Sequence, residues 1–164
     1  MADIKLEERP ELGYCAFPMT APIAELSERI PVGYRRLDSF LAGRGIEDRG
    51  PSIIRYRRGW EAGTMDIEVG WTMDVPPMLP APFIRDVLPG GTYAVAWHNG
   101  PYALLGDVTQ DVLAWADKHK VECDVSHEPE GERWGCWYEL YLTEPTFGPQ
   151  GPQGTVEICL LVRS

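Results

Sequence analysis

The chain has 164 residues, of which 44% are hydrophobic, and its 15 Lys and Arg against 25 Asp and Glu give a formal net charge of −10. A surface of this charge repels phosphate groups, so direct nucleic-acid binding is disfavoured and attraction to cations is favoured. No secretory leader follows Met1, and no apolar run approaches the roughly 20 residues that a membrane-spanning helix needs.

The first half of the chain predicts strands arranged around one helix. In the helix, Pro31 suits the first position, and Tyr34, Leu37 and Leu41 recur at spacings of three and four. In the strand that closes this half, apolar and polar residues alternate, as in a half-buried antiparallel strand. The predicted elements are one or two strands within 4–20, a helix at 31–45, and strands at 51–58 and 64–73.

Residues 74–90 are rich in proline and predict a connector without regular structure. The order of elements then recurs, and the strand sequence Ile67-Glu68-Val69 resembles Val156-Glu157-Ile158. The predicted elements of the second half are a strand at 91–101, a helix at 102–120, a polar loop at 121–133, and strands at 134–145 and 154–163.

This recurrence predicts an α+β fold of two pseudo-symmetric βαββ modules within a single domain. Module one covers residues 1–73, the linker 74–90, and module two 91–164. One helix and three strands cannot bury enough surface alone, so we expect the modules to associate. Helices would cover one face of the antiparallel sheets. On the other face, where the modules meet, we expect a ligand cleft.

The cysteines predict a reducing, cytoplasmic location rather than a metal or redox site. None forms a C-x-x-C pair, and no histidine stands at metal-ligand spacing beside them. We therefore expect no metal site and no cofactor. The four cysteines are Cys15, Cys123, Cys136 and Cys159.

The strand Gly135–Leu142 places a carboxylate between aromatic rings. Side chains alternate between the faces of a strand, so Trp137, Glu139 and Tyr141 share one face. A carboxylate in this setting either points at water or lies in a pocket. The two flanking rings favour the pocket, because large aromatic side chains seldom stay on an open face. A pocket of aromatic rings with one carboxylate suits a flat lipophilic cation.

Three ordered motifs resemble those of the GyrI-like small-molecule-binding family, also called the bacterial transcription-activator effector-binding domain. They are His-x-Gly-Pro-Tyr at 98–102, Tyr-Glu-x-Tyr at 138–141 and Thr-Val-Glu-Ile at 155–158. The resemblance covers nearly the whole chain and implies a duplicated βαββ architecture with an aromatic pocket between modules. It implies binding of bulky, often cationic compounds around a central Glu, which corresponds to Glu139.

Tyr102 and His98 are further candidates for the pocket. The resemblance places Tyr102 near the pocket, and strand parity puts His98 at the rim beside Ala94 and Ala96, whose small size would leave room there. The bulky residues of that strand would then pack on the helix; they are Tyr93, Val95 and Trp97.

Strand parity also places two acidic residues on the face opposite the helices. Glu68 is either a second pocket acid or a solvated charge, and Glu157 is interpreted as solvated. Tyr56 is a plausible wall residue of the pocket. Trp71 is placed by parity on the side of the helices.

The favoured function is non-catalytic binding of hydrophobic, cationic small molecules for sensing or sequestration. Family relatives often carry a preceding DNA-binding domain, but no helix-turn-helix stretch is visible here, so we expect a stand-alone domain. One alternative is a hydrolase of cyclopropane-type compounds, as the resemblance to some stand-alone relatives implies. Glu139 would then act as general base. A second alternative is an antagonist module that binds a protein partner through its acidic surface.

Overall fold

The computed structural model of the chain describes residues 3–164, which form ten β-strands and two α-helices. Each helix follows a single 3₁₀ turn, Ile23–Glu25 before the first and Tyr102–Leu104 before the second. The helices are α1 (Leu26–Gly43) and α2 (Leu105–Lys118). The strands are β1 (Asp3–Arg9), β2 (Leu12–Pro22), β3 (Ser52–Trp60), β4 (Thr64–Thr72), β5 (Ile84–Leu88), β6 (Gly91–Pro101), β7 (Val125–Glu128), β8 (Gly131–Tyr141), β9 (Thr146–Gly148) and β10 (Gly151–Leu161).

All the strands join one curled antiparallel sheet. The order along it is β1-β6-β10-β8-β3-β4-β2-β5, with β7 added beside β8 and β9 beside β10. The strands of the two halves meet where β8 pairs with β3, so that Glu139 lies opposite Ile54. At the far ends, β1 pairs with β6 and β5 pairs with β2. The antiparallel sheet with two helices confirms the predicted α+β class.

Each helix packs on the strands of its own half. In α1, Leu37 and Leu41 are buried against Cys15 and Trp71, which confirms that Trp71 faces the helix. Gly33 allows a close approach, because a Cβ atom there would come within 2.8 Å of Val69 Cγ2. Under α2, the buried contacts come from Ala94, Ala96, Val156, Ile158 and Leu160.

A separate apolar cluster joins the two halves on the opposite side of the sheet. It brings buried residues of the first half, among them Tyr14 and Ile53, together with buried residues of the second half. Within the second-half part, the Tyr93 and Tyr138 rings meet edge to face with centroids 5.6 Å apart. The curled sheet therefore closes on itself through its own side chains. The buried members of this cluster are Tyr14, Ala16, Ile53, Leu88, Tyr93, Val95, Cys136, Tyr138, Leu140 and Cys159.

Three local predictions differ from the structure. The linker is not wholly irregular, because Ile84–Leu88, a stretch free of proline, forms the edge strand β5. The predicted polar loop contains β7, paired with β8. Helix α1 begins at Leu26 and continues through Pro31, which is therefore not its first residue. The ring nitrogen of Pro31 has no hydrogen to donate, so the helix lacks the bond that residue 31 would otherwise make to the Ser27 carbonyl oxygen.

The prediction for the strand that holds Ala94 and Ala96 was wrong about its faces. The two alanines pack beneath α2, whereas Tyr93 and Val95 lie in the opposite cluster. Small side chains let a helix lie close to a sheet, so the alanines mark a tight contact rather than an open space.

Candidate ligand-binding site

Strand β8 places Glu139 at the centre of a group of aromatic side chains. Its side chain is 3% exposed, and Trp137 and Tyr141 follow the same side of the strand. The Tyr141 hydroxyl donates a hydrogen bond of 2.7 Å to Oε1 of Glu139. The predicted pairing of this carboxylate with aromatic residues is therefore present in the structure, and the solvated alternative for Glu139 is not.

The neighbouring strand β3 contributes Tyr56, which lies opposite Trp137 in the sheet. The Tyr56 and Trp137 rings stack, with centroids 4.2 Å apart and planes inclined by 22°. The Tyr56 hydroxyl donates a second hydrogen bond, of 3.0 Å, to Oε1 of Glu139. Thus both tyrosines use the same carboxylate oxygen, and Oε2 accepts from neither.

Tyr102 extends the group from the 3₁₀ turn before α2. Its ring meets the Tyr141 ring edge to face, with centroids 5.3 Å apart. The structure thus brings together five of the predicted residues, Glu139, Trp137, Tyr141, Tyr56 and Tyr102.

Burial dominates the electrostatics of the site. Loss of water raises the pKa of Glu139, and the two hydrogen bonds from Tyr141 and Tyr56 oppose this only in part. Burial and the nearby carboxylate also raise the pKa of both tyrosines well above the usual value, so that their hydroxyls remain donors. The site is a carboxylate held by neutral donors, and a cation would favour its ionised form.

Two aromatic residues near the site were not predicted as members. Tyr34 of α1 packs against the same buried cluster as Tyr56 and Tyr141, and burial, assisted by the Glu139 carboxylate, raises its pKa. Trp134 contacts Trp137, with ring centroids 4.9 Å apart. For Tyr34 the available signal was an aromatic hydroxyl on the buried stripe of a helix, which we interpreted as packing alone.

The expected position of the cleft was wrong. Glu139 lies in register between Ile54 and Ile158, and these residues pack with α1 and α2 respectively. The carboxylate is therefore on the same side of the sheet as these two isoleucines. The opposite side, where the cleft was expected, is filled by the cluster that joins the two halves.

Glu68 lies on that opposite side in a separate ionic cluster. Its side chain is 6% exposed and accepts hydrogen bonds from the Tyr14 hydroxyl and from Arg57 Nε, the latter at 2.9 Å. Arg57 also pairs with Asp86 at 2.6 Å, and buried Arg55 donates to the Tyr14 hydroxyl at 3.0 Å. Glu68 is thus neither solvated nor part of the Glu139 group.

The two remaining candidates make local contacts. His98 is half-buried, and its Nε2 lies 2.9 Å from the carbonyl oxygen of Pro101, which is a structural hydrogen bond within the turn. Glu157 is not simply solvated as predicted, because it forms a partly buried ion pair with Arg9 at 2.9 Å. That arginine comes from β1, which the sequence did not place beside the second half.

Three further observations concern metal ligands, membrane-spanning helices and cysteines among the described residues. Within 3–164, no three His, Cys, Asp or Glu side chains are grouped as metal ligands. Neither helix is long and apolar enough to cross a membrane. All four cysteines are free and buried.

The buried carboxylate among stacked aromatic rings, on a curled antiparallel sheet with two helices, defines a small-molecule-binding class of domain. Comparison with protein families agrees: the model of the GyrI-like small molecule binding domain matches residues 2–128. The chain belongs to this family. The match ends before β8, so Glu139 lies outside it. No curated protein matches the chain in sequence.

Solved structures of similar fold come from distant relatives. The EcmrR chain in its complex with DNA has a TM-score of 0.73 at 15% identity, over 99% of this chain and 58% of that one. This chain thus spans just over half of that protein. SAV2435 bound to tetraphenylphosphonium has a TM-score of 0.60 at 12% identity, covering 99% and 94%. A hydrolase from Listeria innocua has a TM-score of 0.60 at 10% identity, covering 98% and 91%.

Proposed function

We propose that this chain binds aromatic, lipophilic cations at Glu139, for sensing or sequestration. The observation that carries the proposal is the buried carboxylate, which is held by two tyrosine hydroxyls and surrounded by aromatic rings. A tetraphenylphosphonium complex of the similarly folded SAV2435 supports the ligand class. Aromatic rings would supply stacking and cation–π attraction, and the carboxylate would select for positive charge.

The energetic argument rests on desolvation. A buried carboxylate without a cationic partner is costly, and a bound cation would offset that cost through Coulomb attraction in a poorly screened site. Neutral donors stabilise the carboxylate only in part, as the raised pKa of Glu139 indicates. Removal of one partner from such a contact costs on the order of a few kcal/mol.

A matched pair of flat ligands would test the charge requirement. We suggest calorimetric titration with 1-methylquinolinium and with the neutral 1-methylnaphthalene, which have nearly the same shape. Glu139→Gln keeps the shape of the side chain and deletes its charge. We expect this variant to bind the cation at least roughly tenfold more weakly. It should bind the neutral compound with little change, since stacking survives.

The matched control is Glu11→Gln, which removes the same charge from an exposed position between β1 and β2. We expect this variant to bind both ligands as the wild type does, apart from a small loss for the cation at low salt. Equal losses of both ligands in Glu139→Gln, or no loss of either, would contradict the proposal.

The same proposal includes the arrangement of the two halves. We infer two βαββ modules related by a pseudo-twofold axis, with both helices on one face of the sheet and the site between them. Support comes from the strand order, in which β3-β4-β2 of the first half corresponds to β8-β10-β6 of the second. Further support comes from the registered row Ile54, Glu139 and Ile158, which links residues beneath the two helices.

A hydrolase is the second candidate function. A carboxylate whose pKa is raised by burial suits general-base chemistry, and the Tyr56 and Tyr141 hydroxyls could polarise a reacting group. The similarly folded hydrolase from Listeria innocua supports this class. Incubation with a cyclopropane-bearing aromatic compound, followed by mass spectrometry, would test it. A product that adds one water with the wild type, but not with Glu139→Gln, would favour the enzyme.

The setting of this activity also follows from the chain's chemistry. The free, buried cysteines support a reducing compartment such as the cytoplasm. We propose no direct contact with nucleic acid, because the net charge of −10 opposes it.

A further inference from the structure

The indole N–H of Trp137 is a buried hydrogen-bond donor without an acceptor. Its Nε1 atom is shielded from solvent and bonds to no group among residues 3–164. Such a donor costs stability, because folding removes its water and returns no hydrogen bond. Native proteins keep few groups of this kind, and each one calls for an explanation.

Trp137 differs from the other buried donors that lack a partner. Among the described residues these are Nε of Arg55 and Nε of Arg58. Both guanidinium groups are bonded through their remaining nitrogens, Arg55 to Tyr14 and two carbonyl oxygens, and Arg58 to Glu128. An indole has a single N–H, so the donor capacity of Trp137 is wholly unmet.

The unpaired Trp137 N–H belongs to the same strand as Glu139, the residue proposed to bind the positive charge of the ligand. Trp137 and Glu139 are two residues apart on one side of β8, so their Cα atoms are about 7 Å apart along the strand. The ring of Trp137 also stacks with Tyr56, whose hydroxyl donates to Glu139. A molecule with its positive charge at Glu139, extended along β8, would meet the indole next.

We propose that Trp137 is a specificity-determining donor, and that the ligand is an aromatic cation that also carries a hydrogen-bond acceptor, such as a carbonyl oxygen. This inference rests on the proposed function of Glu139. A site with an unmet buried donor discriminates against ligands that leave it unmet. Purely hydrocarbon cations would bind, but they would not be the preferred class.

Two ligands that differ in one group would test the proposal. (4-Acetylphenyl)triphenylphosphonium and (4-isopropenylphenyl)triphenylphosphonium have the same charge and almost the same shape, and they differ by C=O against C=CH₂. Calorimetric titration of the wild type should show the acetyl compound binding about fivefold to tenfold more tightly. Trp137→Phe should abolish this preference, whereas Trp134→Phe should keep it.

The outcomes separate the two proposals. If both compounds bind the wild type equally, or the acetyl compound binds more weakly, the donor role of Trp137 is overturned while cation binding stands. If neither compound binds, the proposed function fails, and this inference fails with it. If Trp137→Phe still binds the acetyl compound more tightly than the isopropenyl compound, the acetyl oxygen accepts from another donor and the role of Trp137 is overturned. Because the wild type alone can overturn the proposal, the test does not depend on the variant folding.

Discussion

Two buried carboxylates lie on opposite sides of the same sheet, and their partners differ. Glu68 is paired with the guanidinium of Arg57 at 2.9 Å and is further held by Tyr14. Among residues 3–164, Glu139 has only tyrosine hydroxyls as hydrogen-bond partners. The charge of Glu68 is therefore compensated within the protein, whereas Glu139 lacks a cation. This difference gives Glu68 a structural role and is the basis of the proposal that Glu139 binds a cationic ligand.

Removal of the cation from Glu68 should have the largest effect. Arg57→Met keeps much of the side-chain stem but leaves Glu68 buried without its ion pair. We expect the free energy of unfolding to fall by about 2–4 kcal/mol in urea titrations, because an unpaired buried charge is costly. Arg133→Met is the control, since Arg133 is 62% exposed and pairs with Glu128 at the surface. It should change stability by less than about 1 kcal/mol. Equal effects of the two variants would remove the distinction between a structural and a surface pair.

The pH dependence of ligand affinity should be the next largest effect. A cation binds the ionised form of Glu139, and burial raises the pKa of this group in the free protein, so binding releases a proton. Below the raised pKa, the affinity for 1-methylquinolinium should fall by up to about tenfold per pH unit. Titrations from pH 8 down to the ordinary value of 4.5 would measure this, with Glu139→Gln as a variant that should show a flat profile. If the affinity of the wild type did not change with pH, the Glu139 carboxylate would not be the group that binds the positive charge of the ligand.

The smallest effect concerns stability at the ligand site. Because the pKa of Glu139 is raised in the folded state, its contribution to stability is fully present below the ordinary value of 4.5 and is lost as the pH rises through the raised value. Glu139→Gln lacks this dependence. We therefore expect the variant to be more stable than the wild type by about 1 kcal/mol near pH 8, with the difference reduced at acidic pH. A variant less stable than the wild type near pH 8 would show that the carboxylate supports the fold, as Glu68 does.

Strand patterns predicted the α+β class and the grouping of aromatic side chains around Glu139. The parity of β8 correctly grouped Trp137, Glu139 and Tyr141, because side-chain direction in a strand depends only on position. Parity did not reveal which face the helices cover, since this depends on contacts between strands distant in sequence. The side of the cleft and the role of the alanines in β6 were therefore both mistaken.

The partners of Glu68 were hidden for the same reason. Its alternation with Ile67 and Val69 is typical of a solvated face, and nothing in that strand indicates bonds from Tyr14 of β2 or from Arg57, which lies at the register shift of the neighbouring β3. The short edge strand β5 was also missed, because five residues after a proline-rich stretch carry too little periodicity to be recognised.

The pairing of β1 with the second half has a consequence for how the chain folds. Strand β1 begins the first half but pairs with β6 of the second, joining Arg9 to Gly91 and Asp3 to Trp97. These contacts close a loop that contains the rest of the first half. Closing this loop costs conformational entropy before the strand pairing can contribute stabilising free energy. Pairs this distant in sequence slow folding. Strand β1 cannot pair until β6 has formed, and the second half cannot complete this edge of its sheet without β1.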